Sequence, residues 1–486
     1  MSKEKVQGKM GLPMALFTLL VMVAIMAVGL AVLGLSTVTV FALVLVAMAI
    51  IALCIGFSME EVQEIILAGC RKAILVILIL MSVGMVVGSW IVSGVVPSII
   101  YYGLQILSPS YFLLVGFIIC CIVSFFTGSS YTAAGTLGVA FMGIGSGLGI
   151  NPALTAGMVI SGAIFGDKMS PFSDTTNMAP AAAETDIFLH IKSMLWTTVP
   201  ATLIAAVLYF ILGFQHSSAS TDMGNVAAIS AGITETFNVS PFLLLIPVLT
   251  ILLAVKKVPS FLALLAGTIA GIVVAFFAQP QFSIATILNS MATGFSGEFS
   301  NDMLNTLFNR GGISSMMTTV SLSLLCLAFG ELLQRMGVLT AILDRLEALV
   351  RKPGPLVLTT LFTCLLTVIL TASQYVAILL PGEIFKESYK KADVAPYVLS
   401  RTLEDGGTIF SFLVPWSMAA IYTSGVLGVP TLQSLPYSFL PILCPVFAII
   451  YAITGFAVFK TDGSPVTGKG VWFSRKARLA AQEKSK

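Results

Sequence analysis

Charge is what this sequence has least of. Asp, Glu, Lys and Arg make up only 10% of its 486 residues, against about 25% in soluble domains. A soluble globular surface, a disordered chain and a nucleic-acid-binding face all need more than that. Histidine is nearly absent: His190 and His216 both fall at the ends of apolar runs and read as interfacial residues. The seven cysteines (Cys54, Cys70, Cys120, Cys121, Cys326, Cys364, Cys444) show no CxxC spacing and mostly sit inside apolar runs. They read as small buried apolar side chains rather than metal or redox centres. There is no Walker loop, metal-ligand cluster or nucleophile–base constellation, so neither an ATP-driven pump nor an enzyme is expected, and no cofactor.

What the chain has instead is 57% hydrophobic residues and a mean hydropathy of +1.01. Apolar runs of about 20 residues recur along its length, the signature of a chain dissolved in a bilayer. Ten full crossings are expected, near 12–35, 37–57, 73–96, 153–188 and 195–214, then 241–256, 259–279, 314–335, 394–428 and 435–459. The first is too long for a secretory signal and has no cleavage site, so it reads as a retained helix. Stretches 110–150 and 355–390 carry small polar residues at their middles and read as re-entrant hairpins. Segments 59–70 and 338–350 look amphipathic and are expected to lie along the interface.

The basic residues test this layout. Lys3, Lys5 and Lys9, Arg71 and Lys72, Lys192, Lys256 and Lys257, Arg335 to Lys352, Lys386 to Lys391 and the tail after Phe459 all fall on one side. By the positive-inside rule that side is the cytoplasm, with both termini there. Loop 217–240, with Asp222 and Glu235 but no Lys or Arg, then lies outside; Arg310 is the exception.

The two halves repeat. TGSSYTA at 127–133 matches TASQYVA at 371–377 at an offset of 244. Gly94-Val95 matches Gly337-Val338 at 243, and Asp167, Phe172 and Ser173 match Asp405, Phe410 and Ser411 at 238. Five crossings per half turn the second copy upside down. The expected fold is an all-α polytopic membrane protein of two inverted-topology repeats, each of about five transmembrane helices plus a re-entrant hairpin and a broken helix. The first repeat spans 1–216, an external linker 217–240, the second repeat 241–460, and a basic cytoplasmic tail 461–486. Inverted repeats with discontinuous helices are the architecture of secondary transporters, with a site near the midplane.

The candidate chemistry lies in GAIFGDKMSPFSDTTNMAP, residues 162–180. Pro171 breaks the span, and Asp167, Ser173, Asp174, Thr175, Thr176 and Asn177 supply oxygens that suit a small hard cation. A carboxylate at that depth costs about 2.5–3.5 kcal/mol on insertion scales. Desolvation favours its protonated form and a bound cation its ionised form, so one Asp can hold a proton or Na⁺ in turn. A structural ion pair of Lys168 with Asp167 or Asp174 is the alternative. The second-half counterpart is SRTLEDGGTIFSF, residues 400–412, with Glu404 and Asp405 as candidate ligands, Gly406-Gly407 as the breaker, and Arg401 as a structural partner of either acid. At the hairpin tips, Thr127, Ser129, Ser130, Thr371, Ser373 and Gln374 are candidate contacts for an ion or substrate. Close packing of small residues is the alternative there. Lys168 and Arg401 are candidate partners for an anion.

The stretch 162–180 resembles the signature of the NhaC family of sodium/proton antiporters, in the wider ion transporter superfamily. FGELLQRMGVL at 329–339 is similar to a second family motif, with Glu331 where a small residue is expected. The resemblance covers most of the chain. It implies a multi-pass carrier of the bacterial cytoplasmic membrane with both termini cytoplasmic, homodimeric assembly, and Na⁺/H⁺ antiport by alternating access. It also implies an alternative cargo, a small organic anion of the malate or lactate type or an amino acid coupled to the same ions. Asp167, Ser173, Asp174, Thr175 and Asn177 are the positions that match the family motif.

Overall fold

The computed structural model describes residues 10–218, 223–299, 302–342 and 352–466. Among these, every regular element is helical, save an isolated bridge between Phe459 and Pro465. Eight helices are long and apolar enough to cross a membrane, or ten if each of two bent pairs counts as one span. The protein is a multi-pass membrane protein.

The first half runs α1 (Leu12–Ala27), α2 (Thr37–Cys54), α3 (Met59–Val92), α4 (Val95–Ile106), α5 (Pro109–Thr127), α6 (130–147), α7 (Pro152–Met169), α8 (Asp174–Ala183) and α9 (Ile187–Ser218). The second half runs α10 (Met223–Thr236), α11 (Leu245–Val255), α12 (Ser260–Ala278), α13 (Ile284–Thr293), α14 (Asp302–Phe308), α15 (Gly312–Arg335), α16 (Pro353–Thr371), α17 (Gln374–Lys391), α18 (396–411), α19 (Met418–Leu427) and α20 (Phe439–Thr454).

Two local expectations are corrected. Segment 59–70 is no separate interfacial helix but the first third of α3, which starts on a Ser58–Glu61 capping box and runs 34 residues. Nothing in it breaks a helix, and at 1.5 Å per residue it is about 51 Å long, well beyond the hydrocarbon core. Gly406 and Gly407 do not interrupt α18. They sit in a π turn, Glu404–Thr408, where a Cβ would press on Cys364 or on Ala377 and Ile378. The break falls later, at 412–417, around Pro415, which has no N–H to continue the ladder. Each hairpin's first limb, α5 or α16, is long enough to cross by itself. Residues 1–9, 343–351 and 467–486, which include most of the predicted amphipathic segment 338–350 and the basic tail, lie outside the described residues.

The tips are built alike. α5 ends on Gly128 (φ 67°) and α16 on Ala372 (φ 55°), both left-handed. The next helix is then capped by a serine: Ser129 Oγ accepts from Thr132 N at 3.2 Å, and Ser373 Oγ from Val376 N at 3.4 Å. At Gly128 the turn needs glycine twice over, because a Cβ would also strike the backbone of Phe172.

α3 and α15 pack antiparallel along a glycine seam. Gly69 lies against the backbone of Leu327 and Ala328, and Gly84 against that of Gly312. At an offset of 243, Gly69 corresponds to Gly312 and Gly84 to Leu327. The two contacts are therefore images of one another, as in an isologous interface.

Candidate cation site

α7 stops at Met169, the chain turns through Ser170–Ser173, and α8 starts at Asp174. Pro171 cannot donate, and the last carbonyls of α7 lack helical partners. The polar run that follows supplies them. The Thr175 and Thr176 hydroxyls donate to the Asp167 carbonyl at 3.1 and 2.6 Å. Asn177 Nδ2 donates to the Pro171 and Ser173 carbonyls at 2.8 and 2.7 Å.

Asp167 itself is 5% exposed. Its carboxylate accepts from Ser130 N at 3.3 Å, from the Ser130 hydroxyl, and from the Ser173 hydroxyl at 3.4 Å. Ser173 in turn lies 3.1 Å from the Thr175 hydroxyl. The first hairpin tip and the broken helix thus meet on one carboxylate. Asp174, on the first turn of α8, is exposed.

A cavity of about 490 Å³ opens beside this carboxylate. Asp167, Ser173, Asp174, Thr175 and Asn177 line it together with Thr127 and Ser129 of the first tip and Gln374 of the second. Its remaining wall comes from α3 and from the turn between α11 and α12. Lys257 of that turn holds its ammonium 4.6 Å from the centre of the Phe172 ring, and Ser260 is 3.0 Å from the Thr132 hydroxyl.

Of the second-half candidates only Gln374 reaches the cavity; Thr371, Ser373, Arg401, Glu404 and Asp405 do not line it. Thr371 donates to the Thr367 carbonyl at 2.7 Å, and Gln374 Oε1 accepts from Ser411 at 3.0 Å. Asp405 is paired with Lys168, both with no exposure. The Thr197 hydroxyl of α9 is 3.1 Å from both the Lys168 ammonium and Asp405 Oδ1. Lys168 therefore pairs across the halves and not with Asp167 or Asp174. Arg401 makes no ion pair with Glu404 or Asp405 among the described residues; its Nη1 donates to the Ala457 carbonyl at 3.0 Å. Glu404 is fully buried, with the Thr175 and Thr408 hydroxyls as its polar neighbours.

His190, expected at the interface, is instead fully buried, its Nδ1 2.8 Å from the Ser400 hydroxyl. Helix α9 extends farther than its apolar run and packs that end on α18. The side chain of His216 lies outside the described residues. Thr197 and Lys257 carried weak signals: a Thr-Thr pair inside an apolar run, and a basic residue read only for topology.

Among the described residues no cluster of three His, Cys, Asp or Glu side chains is arranged for a metal ion. One carboxylate with hydroxyls and freed carbonyls suits a small monovalent hard cation or a proton.

A family model described as the Na⁺/H⁺ antiporter family matches residues 10–176 and 162–456. The Na⁺/H⁺ antiporter NhaC of Alkalihalophilus pseudofirmus is 39% identical over 401 residues, 82% of this chain and 86% of that one. The malate-2H⁺/Na⁺-lactate antiporter of Bacillus subtilis is 38% identical, covering 85% and 88%. The arginine/ornithine antiporter ArcD of Halobacterium salinarum is 33% identical, covering 84% of each.

Proposed function

The chain belongs to the Na⁺/H⁺ antiporter family, and on that premise we propose that Na⁺ and H⁺ take turns on the Asp167 carboxylate. The observation that carries this is a nearly buried carboxylate at a helix break, touching both a hairpin tip and an open cavity. Protonated, Asp167 needs no cation. Ionised, it needs one, and Ser130 and Ser173 stand ready with oxygens. Burial makes the unneutralised carboxylate the costly state, so one ion leaves as the other arrives. If only the loaded seat, with either ion, permits the change of access, exchange follows and leak does not.

The positive-inside rule supports an orientation with both ends of the chain in the cytoplasm of a bacterial cell. Lys257 then marks the cytoplasmic mouth of the cavity. The matched tips and the reciprocal glycine seam support two inverted repeats.

The volume of the cavity favours a second reading. About 490 Å³ is far more than Na⁺ requires and falls in the range of small-molecule sites. Lys257 gives it a cation for a carboxylate. A malate- or lactate-type anion or an amino acid, moving with Na⁺ and H⁺, fits that space.

Proteoliposomes with an internal pH dye test both. A Na⁺ pulse alone is expected to drive proton movement, and Asp167→Asn to abolish it in a protein that still runs monodisperse. Exchange by Asp167→Asn at the normal rate removes Asp167 from the mechanism. A strict requirement for added malate, lactate or arginine selects the second reading.

A further inference from the structure

We infer that Lys168 is a tethered cation filling a second cation seat, the second-half counterpart of the Asp167 seat, so that the protein binds one mobile Na⁺ rather than two. The inference rests on Asp167 being a cation seat.

The correspondence is built from contacts as well as from sequence. Asp405 stands 238 positions after Asp167, as Ser411 does after Ser173. In the first half the tip residue Ser130 reaches the broken helix through Asp167. In the second half Gln374, 244 positions after Ser130, reaches the broken helix through Ser411 at 3.0 Å. Each tip is thus docked on the oxygen-bearing turn of its own half. What differs is the occupant: Asp167 borders the cavity, whereas Asp405 is sealed and holds the Lys168 ammonium. The position in the second half that corresponds to Lys168 is Gly406, so the device exists once.

The oxygens around that ammonium are those of a cation site. Asp405 Oδ1 and the Thr197 hydroxyl contact it. Asp405 Oδ2 is buried without a hydrogen-bond partner, and Glu404, fully buried beside the Thr175 and Thr408 hydroxyls, feels the Lys168 charge as well. Buried carboxylate oxygens without donors are rare in native proteins and call for a counter-ion, a proton or water. Two acids and a hydroxyl about the space that one buried ammonium fills match the oxygen-rich ligation of a hard cation. With the ammonium removed, that space would take a free one.

Lys168→Ala tests this, because it frees the volume of the ammonium and its stem. The readouts are ²²Na⁺ bound per chain and the gain in melting temperature on replacing choline with Na⁺. Wild type is expected to bind one Na⁺ per chain and Lys168→Ala two, with a larger Na⁺-dependent gain in melting temperature. Adding Asp405→Asn to Lys168→Ala should return the count to one. Asp167→Asn with Lys168→Ala should also bind one. If Asp167→Asn alone keeps its Na⁺, the Asp167 reading fails, while any added Na⁺ in Lys168→Ala still reports the second seat. A Lys168→Ala protein that binds a single Na⁺, or that is equally destabilised in Na⁺ and in choline, overturns the inference.

Discussion

Asp167 and Asp405 show how little a residue type says without its neighbours. They stand at corresponding places in the two halves, yet one borders a cavity and the other is sealed against an ammonium. What tunes Asp167 is its donors. Two come from a single residue, the Ser130 backbone and hydroxyl, and one from Ser173. A hydrogen bond to a charged group is worth about 1.5–3 kcal/mol. Ser130→Ala keeps the backbone donor and loses the hydroxyl, which in the proposed seat is also an oxygen for the cation. We therefore expect the Na⁺ KM for proton release to rise about ten- to hundredfold, with each tenfold worth about 1.4 kcal/mol. Steady-state dye assays over a Na⁺ series would measure it, and an unchanged KM would take that hydroxyl out of the seat. Thr175, Thr176 and Asn177 act differently: their bonds go to backbone carbonyls of the break, so they hold its shape.

The elements were legible where punctuation is local. Pro171 with its polar run announces the break after α7, and the matching tips announce themselves by a repeated Thr-x-Ser-x-Tyr. Both signals work through the backbone of the residues that carry them. The misreadings share a cause. Gly406-Gly407 looked like a breaker, but glycine only permits a break; here it permits close packing, while Pro415 imposes the interruption. Segment 59–70 looked separate because its polarity changes, although its helical hydrogen bonding does not. Lys168 with Asp405, and His190 with Ser400, were invisible because their partners lie more than 200 residues away. The glycine seam of α3 and α15 belongs to this scale too. A Cβ at Gly69 or at Gly84 would press on backbone, not on a side chain that can turn away. Gly69→Ala and Gly84→Ala should each cost about 1–3 kcal/mol of stability, the range of overpacking, and by similar amounts. Thermal unfolding in one detergent measures both; a large cost at one with none at the other would contradict a two-fold seam.

At the scale of the molecule, the reciprocal seam has a mechanical consequence. If α3 and α15 are related by a two-fold axis lying in the membrane, each half has available to it the conformation the other half holds. Exchanging those conformations would close the present cavity and open its image on the opposite face, with no new fold required. In the orientation proposed from the positive-inside rule, Lys257 faces the cytoplasm and the present opening is the inward one of the pair. The first tip lines the cavity through Thr127, Gly128 and Ser129, and the second through Gln374 and Tyr375 but not Ser373, so of the two capping serines Ser129 is the one reached from inside. The prediction needs the native cysteines removed, since Cys54 is exposed. In that background Ser129→Cys in inside-out vesicles should react with a membrane-impermeant maleimide, and in right-side-out vesicles it should react more slowly. Ser373→Cys, at the corresponding place on the second tip, should show the opposite preference, because the exchange of halves exchanges their access. An imposed Na⁺ gradient shifts the populations, so both rates should move in opposite senses when its direction is reversed. Equal rates for Ser129→Cys from both faces, indifferent to Na⁺, would leave the two-fold seam as packing without a part in transport.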